Sequence, residues 1–207
     1  MSLLYDFTGL LKTFFPMPPK RVLPSAVNVG AGAVDYIANC ANARNMGTVV
    51  LTANVLRAVP FWAPARKSVI GRLAIENTTS AGANNFRVGL YRNVPNRRSF
   101  YPGVRLDDSG NFTGAAALQT YATAAELERN ILYWMVCNMN ASIVVRALDA
   151  SAVSDLLGIP VGATGTNPHN LYISAASVYG ALPSTFPAGG AYVTNVLVPV
   201  LRYQFSA

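Results

Sequence analysis

The sequence predicts an all-β fold, an antiparallel β-sandwich of jelly-roll type with about eight strands, carried behind a helical and extended N-terminal arm. Three observations predict it. Between residues 48 and 148, short runs of β-branched and aromatic residues are punctuated by clusters of Gly, Asn, Ser and Pro. Two of those runs, Val69 to Glu76 and Phe86 to Arg92, keep apolar side chains at every second position, the period of a strand with one face on a core and one in water. The composition, 52% hydrophobic and only 12% charged, supplies more apolar surface than one monomer core needs, and subunit interfaces are its natural destination.

The arm comes first. Leu3, Leu4, Phe7, Leu10, Leu11, Phe14 and Phe15 recur at helical spacing, so residues 3 to 15 predict an amphipathic helix whose apolar face needs a partner. Three roles compete: packing back on its own domain, docking in trans on a neighbouring subunit or larger assembly, or lying on a membrane surface. Pro16, Pro18 and Pro19 end the helix in an extended run. Residues 20 to 47, poor in bulky side chains, read as a linker with a strand or short helix near Val34 to Ala38. The division is therefore a docking arm over 1–47 and a display domain over 48–207. The N-terminus has no basic n-region and carries Asp6 and Lys12 inside its apolar run, unlike a secretory signal. No uninterrupted apolar run approaches the roughly 18 residues that span a bilayer.

The strands follow. Thr48 to Thr52 and Val55 to Trp62 are rich in β-branched and aromatic residues, and Pro60 and Pro64 restrict the second to an edge or strand end. Val69 to Glu76 turns Leu73 and Ile75 inward and Arg72 and Glu76 outward. Phe86, Val88 and Leu90 share a face opposite Arg87 and Tyr91. Residues 93 to 114 form a long connection with a short strand near Val104 to Leu106. Thr123 and Glu126 have capping-box spacing, so Thr123 to Asn130 predicts a helical turn. Ile131 to Cys137 is apolar throughout and predicts a strand buried on both faces, paired with Ser142 to Leu148 across the turn at Asn138 to Ala141. Ser151 to Leu157 reads as a short helix, Leu171 to Ser174 as a short strand, and Tyr192 to Phe205 as a long final strand broken or bulged at Pro199.

No constellation for catalysis emerges. His169 is the only histidine and sits in a loop; no G-x-S-x-G elbow occurs; one His and the distant pair Cys40 and Cys137 do not make a zinc site. The cysteines read as buried free thiols. Asp107 to Asn111 offers oxygens to calcium but lacks the further carboxylate of a calcium loop, and reads as a turn. Gly30 and Gly32 do not complete a phosphate-binding fingerprint. The expectation is a protein without enzyme activity, metal or cofactor, with a polysaccharide-acting enzyme as the reading from another class. The net charge is +7, but its arginines are scattered, which fits a dispersed positive face or interface ion pairs better than a nucleic-acid site. The most promising contact surface is the long loop, where Arg92, Arg97, Arg98, Phe100, Tyr101 and Arg105 bring guanidinium forks and aromatic faces together, a combination suited to a host glycan.

Several segments together resemble a jelly-roll module of tailed-bacteriophage virion proteins. They are Pro60-Phe61, Arg87-Val88-Gly89-Leu90-Tyr91, Pro102-Gly103, Asp107, Tyr133-Trp134 and the later run YGALPSTFPAG. The resemblance covers roughly residues 55 to 190 and leaves the first 45 outside it. The loop NVPNRRSFYPG is more basic than that pattern, and ATAAELERN replaces a short turn. What the resemblance implies is a virion component on the particle surface. It would be a tail-fibre or receptor-binding subunit or, alternatively, a capsid decoration or head-spike protein. Such a subunit would assemble with itself as a trimer and with other virion proteins, without nucleic acid or membrane insertion.

Overall fold

The computed structural model describes residues 37–38, 46–63, 68–79, 84–94, 100–113, 115–148, 172–193 and 197–205. The predicted helix at 3 to 15, with Leu3 through Phe15, the predicted helix at Ser151 to Leu157, and Cys40 and His169 lie outside the described residues. The described residues are all-β and hold no helix. Their strands are β1 (Ile37–Ala38), β2 (Met46–Leu51), β3 (Val55–Trp62), β4 (Ser68–Asn77), β5 (Asn85–Asn93), β6 (Pro102–Asp108), β7 (Phe112–Thr113), β8 (Ala117–Leu127), β9 (Leu132–Met139), β10 (Ile143–Leu148), β11 (Tyr172–Ala176), β12 (Ala191–Val193), β13 (Val198–Pro199) and β14 (Leu201–Phe205).

The strands form two antiparallel sheets. Sheet I joins β1, β14, β4 and β8, with β10, β2 and β13 alongside. Sheet II runs β12-β11-β3-β9-β5-β6, with β7 on β5. Between them lies one apolar cluster to which both contribute: Leu51, Ile70, Leu73, Ile75, Val145 and Leu201 from sheet I, and Val59, Phe61, Phe86, Leu90, Met135 and Cys137 from sheet II. Phe61 and Tyr203 meet across it with ring centroids 4.7 Å apart. Burial of apolar surface between two sheets is the main force holding them face to face.

Strand β9 explains the rest of sheet II. All eight of its residues are buried. Tyr133, Met135, Cys137 and Met139 enter the core between the sheets, whereas Leu132, Trp134 and Val136 enter a second cluster on the opposite face of sheet II. The second cluster also takes Leu56, Ala58, Tyr91 and Ile173, and is roofed by Leu182 and Phe186. The expected wet face behind Phe86 to Arg92 is thus corrected: Tyr91 has no exposed surface. Alternation along β5 is real, but its second face is covered by residues 177–190, which the sequence presents as a loop.

Other expectations hold or fail for local reasons. Pro60 sits in an interior strand, paired with Trp134 of β9, and only its β11 side is unpaired. The Ala63 N–H donates to the Ile131 carbonyl on the β9 side, so the Pro60 nitrogen, which has no hydrogen to donate, faces the other side, where the β11 partners stop at Ala58. Ile70 and Leu73 are both buried although three positions apart, because the register slips between Ile70 and Arg72 at Gly71. The helical turn expected at Thr123 is instead part of β8, an eleven-residue strand on β4. Its Thr123 hydroxyl bonds a carboxylate on another strand rather than capping a helix, and tertiary pairing overrides the local capping signal. Ser142 to Leu148 does not return onto β9: β10 crosses to sheet I and pairs with β2. The expected final strand divides into β12 on sheet II and β13 and β14 on sheet I. These divisions give fourteen strands among the described residues rather than about eight.

Candidate functional site

The residues singled out around the long loop fall into two groups. Asn93 holds the base of the loop. Its side-chain oxygen accepts from the Tyr101 N–H at 3.0 Å and from the Trp134 indole at 2.8 Å, while the Val94 N–H donates to the Tyr101 carbonyl at 2.9 Å. The two ends of the intervening segment are therefore side by side. Arg97 and Arg98 lie on that segment, outside the described residues. Arg92 reaches Glu128 at 2.8 Å in a solvent-exposed pair. Phe100 is exposed, and the Tyr192 hydroxyl donates to its carbonyl. Phe100 and Tyr192 thus put two exposed aromatics at the rim of sheet II, and Tyr192 is the one the sequence reading did not single out.

Tyr101 and Arg105 belong to the second group, which fastens the roof of sheet II. The Tyr101 hydroxyl donates to the Pro187 carbonyl at 2.5 Å and accepts from the Gly190 N–H at 2.8 Å. The Tyr91 hydroxyl donates to the Pro183 carbonyl at 2.6 Å, and both rings meet Phe186 edge-on. Burial pushes the Tyr91 hydroxyl above its ordinary value, with Arg105 opposing and Asp108 reinforcing the shift. The Arg105 guanidinium donates to the Leu182 carbonyl and to Asp108. Asp108 also receives Arg87 at 2.9 Å and the Leu182 N–H at 2.9 Å. Residues 184–186 complete the attachment by pairing along the outer edge of β6: Arg105 N–H to Ser184 carbonyl, Phe186 N–H to Gly103 carbonyl.

This packing gives Gly89 its reason. A Cβ there would lie 2.4 Å from the Leu182 side chain and 2.6 Å from the Asp107 carbonyl oxygen, closer than atoms can approach. In the run Arg87 to Tyr91, then, Arg87 binds Asp108, Val88 and Leu90 fill the inner core, Gly89 admits the roof, and Tyr91 anchors it.

The turn expected at Asp107 to Asn111 is corrected: Asp107 and Asp108 end β6, and Ser109 to Asn111 carry the chain on to β7 along the same edge of β5, with both carboxylates engaged. Asp107 accepts from the Tyr121 hydroxyl at 3.2 Å, from the Thr123 hydroxyl and from the Asp108 N–H, which ties the β6 edge of sheet II to the β8 edge of sheet I. Asp108 accepts from the Gly110 N–H at 3.1 Å, with Gly110 at φ +72°. Among the described residues no cluster of three metal-binding side chains occurs. Cys137 is a free thiol sealed in the core, and burial pushes its pKa up to about 11.

The outer face of sheet I carries the charges that the sequence reading left scattered. Pairing places Arg202 opposite Ala74 and Gln204 opposite Arg72, so Arg72, Glu76 and Arg202 share the side of β4 and β14 away from the core. Glu76 accepts from Arg146 of β10 at 2.9 Å and from Arg202. Partial burial works to raise its pKa, but the hydrogen bonds and charges of those arginines outweigh it and hold the carboxyl below its ordinary value. Arg72 is exposed and has no carboxylate partner among the described residues. The outward orientation of Arg72 and Glu76 was legible from alternation; their meeting with Arg146 and Arg202 depends on strand order, which no local signal encodes. No family model matches the chain, and the comparison with curated proteins returns no match.

Proposed function

We propose that this chain is a non-enzymatic structural subunit of a tailed-bacteriophage virion, a tail-fibre or receptor-binding protein that displays a jelly-roll β-sandwich from an N-terminal docking arm and assembles as a homotrimer. The observation that carries the proposal is the use to which the chemistry-bearing side chains are put. Asp107, Asp108, Arg87, Arg105, Tyr91 and Tyr101 hold the roof and seam of the module, and Phe100 and Tyr192 are left exposed at its rim. That is the economy of a rigid display module. Passage of the chain between sheets at β2–β3–β4–β5 and at β8–β9–β10 fits a jelly-roll wrap. The segments that carry the resemblance to phage virion modules are the ones that meet around Gly89 and Trp134.

The reading is tested on particles. Removing residues 1–36, which stops short of β1, is expected to abolish incorporation while leaving the β-module folded; incorporation at the full level would overturn the docking arm. Phe100→Ala with Tyr192→Ala, and separately Arg97→Ala with Arg98→Ala, are expected to reduce adsorption to host cells by tenfold or more. Adsorption unchanged in both pairs would overturn receptor contact by this rim.

A further inference from the structure

The two outer faces of the molecule differ. Sheet II is roofed by its own residues 177–190, whereas the outer face of sheet I presents exposed side chains. Arg72, Arg146 and Arg202 cluster on that face around Glu76, a local excess of two positive charges, with Glu126 of β8 on the same side further along, opposite Val69. Arg72 and Arg202 are diagonal neighbours across the β4–β14 pair, which puts them about 7–8 Å apart at the backbone. The Arg146 and Arg202 guanidiniums are held in place by the shared carboxylate, so little side-chain freedom remains to be lost on binding.

We propose that this face binds a linear polysaccharide carrying sulfate or carboxylate groups. Guanidinium forks match such groups bidentately, and Gln204 beside Arg72 and Thr48 opposite Arg146 add polar side chains for sugar oxygens. Ala122, small and exposed opposite Arg72, leaves room beside the charged positions for an extended chain to approach the sheet. A second copy of this face would set arginine against arginine. Among the described residues the outer positions of β4, β8, β10 and β14 carry no aromatic residue to anchor a protein partner, and the exposed apolar side chains Val50 and Leu118 stand on separate strands, β2 and β8. The inference rests on charge and geometry and is independent of the virion assignment.

The test measures binding of the full chain to heparin, alginate and neutral dextran oligosaccharides of equal length at physiological salt. Binding to heparin or alginate and not to dextran is expected. Arg72→Glu should weaken it about tenfold, the scale of one charge-assisted contact. Glu76→Gln should strengthen it several-fold. Arg129→Glu, which makes the same change of net charge at an exposed position in the β8–β9 turn, should alter it less than twofold. Arg72→Gln, with thermal melts of each variant, separates lost contact from lost folding. Equal losses in Arg72→Glu and Arg129→Glu would reduce the effect to net charge and overturn the proposal. Absence of binding to both anionic glycans, or tighter binding of polyglutamate or oligo-dT than of either glycan, would overturn it too.

Discussion

Gly89 and Asp108 show how much of this molecule turns on single positions. Gly89→Ala would drive a methyl group into the Leu182 side chain and the Asp107 carbonyl, so a loss of about 1–3 kcal/mol in urea unfolding is expected. Asp108→Ala would remove the acceptor that Arg87, Arg105 and the Leu182 N–H share, and a loss of about 2–4 kcal/mol is expected in the same assay. Glu76 sets a pH dependence. Its folded pKa is depressed, so its contribution is present above the ordinary carboxylate pKa and disappears as pH falls through the lowered value. The acid limb of a stability-versus-pH curve should therefore flatten in Glu76→Gln. Cys137, with its thiol pushed to about 11 by burial, should resist thiol reagents at pH 8 in a Cys40→Ser background until denaturant is added.

Among the elements, the strands with period-two patterning were legible and the ones defined by distant partners were not. β4 and β5 announced themselves through Leu73, Ile75, Phe86, Val88 and Leu90, and the unbroken apolar run of β9 announced burial on both faces. β8 did not, because Ala, Thr and Glu dominate it and Thr123 and Glu126 mimic a helix cap. The roof was illegible for a stronger reason. Its residues Leu182, Pro183 and Pro187 find partners 74 to 92 positions away, so nothing in the local run of Gly, Pro and Ser distinguishes a fastened cover from a free loop. Of the candidate contact residues, composition correctly picked out Phe100 as surface, while Tyr101 and Arg105 proved to be fasteners, a distinction that only register and pairing reveal. Phe186→Ala tests the roof as an element. Truncation of this buried ring should cost about 3–5 kcal/mol, and hydrogen exchange should speed up selectively at the Arg105 and Phe186 amides that pair across the β6 edge.

The molecule as a whole has two cores sharing one sheet, and both depend on the same late stretch of chain. β11 and the roof complete sheet II; β13 and β14 complete sheet I. A nascent chain with residues up to 170 available would hold β9 and β4 without β11, without the roof and without β14, so neither core could close around them. Folding during synthesis is thus deferred until the last strands emerge, and the apolar β9 must wait with both faces uncovered. Ribosome-bound intermediates of this protein should bind hydrophobic-surface chaperones and yield to protease throughout, then become resistant in one late step.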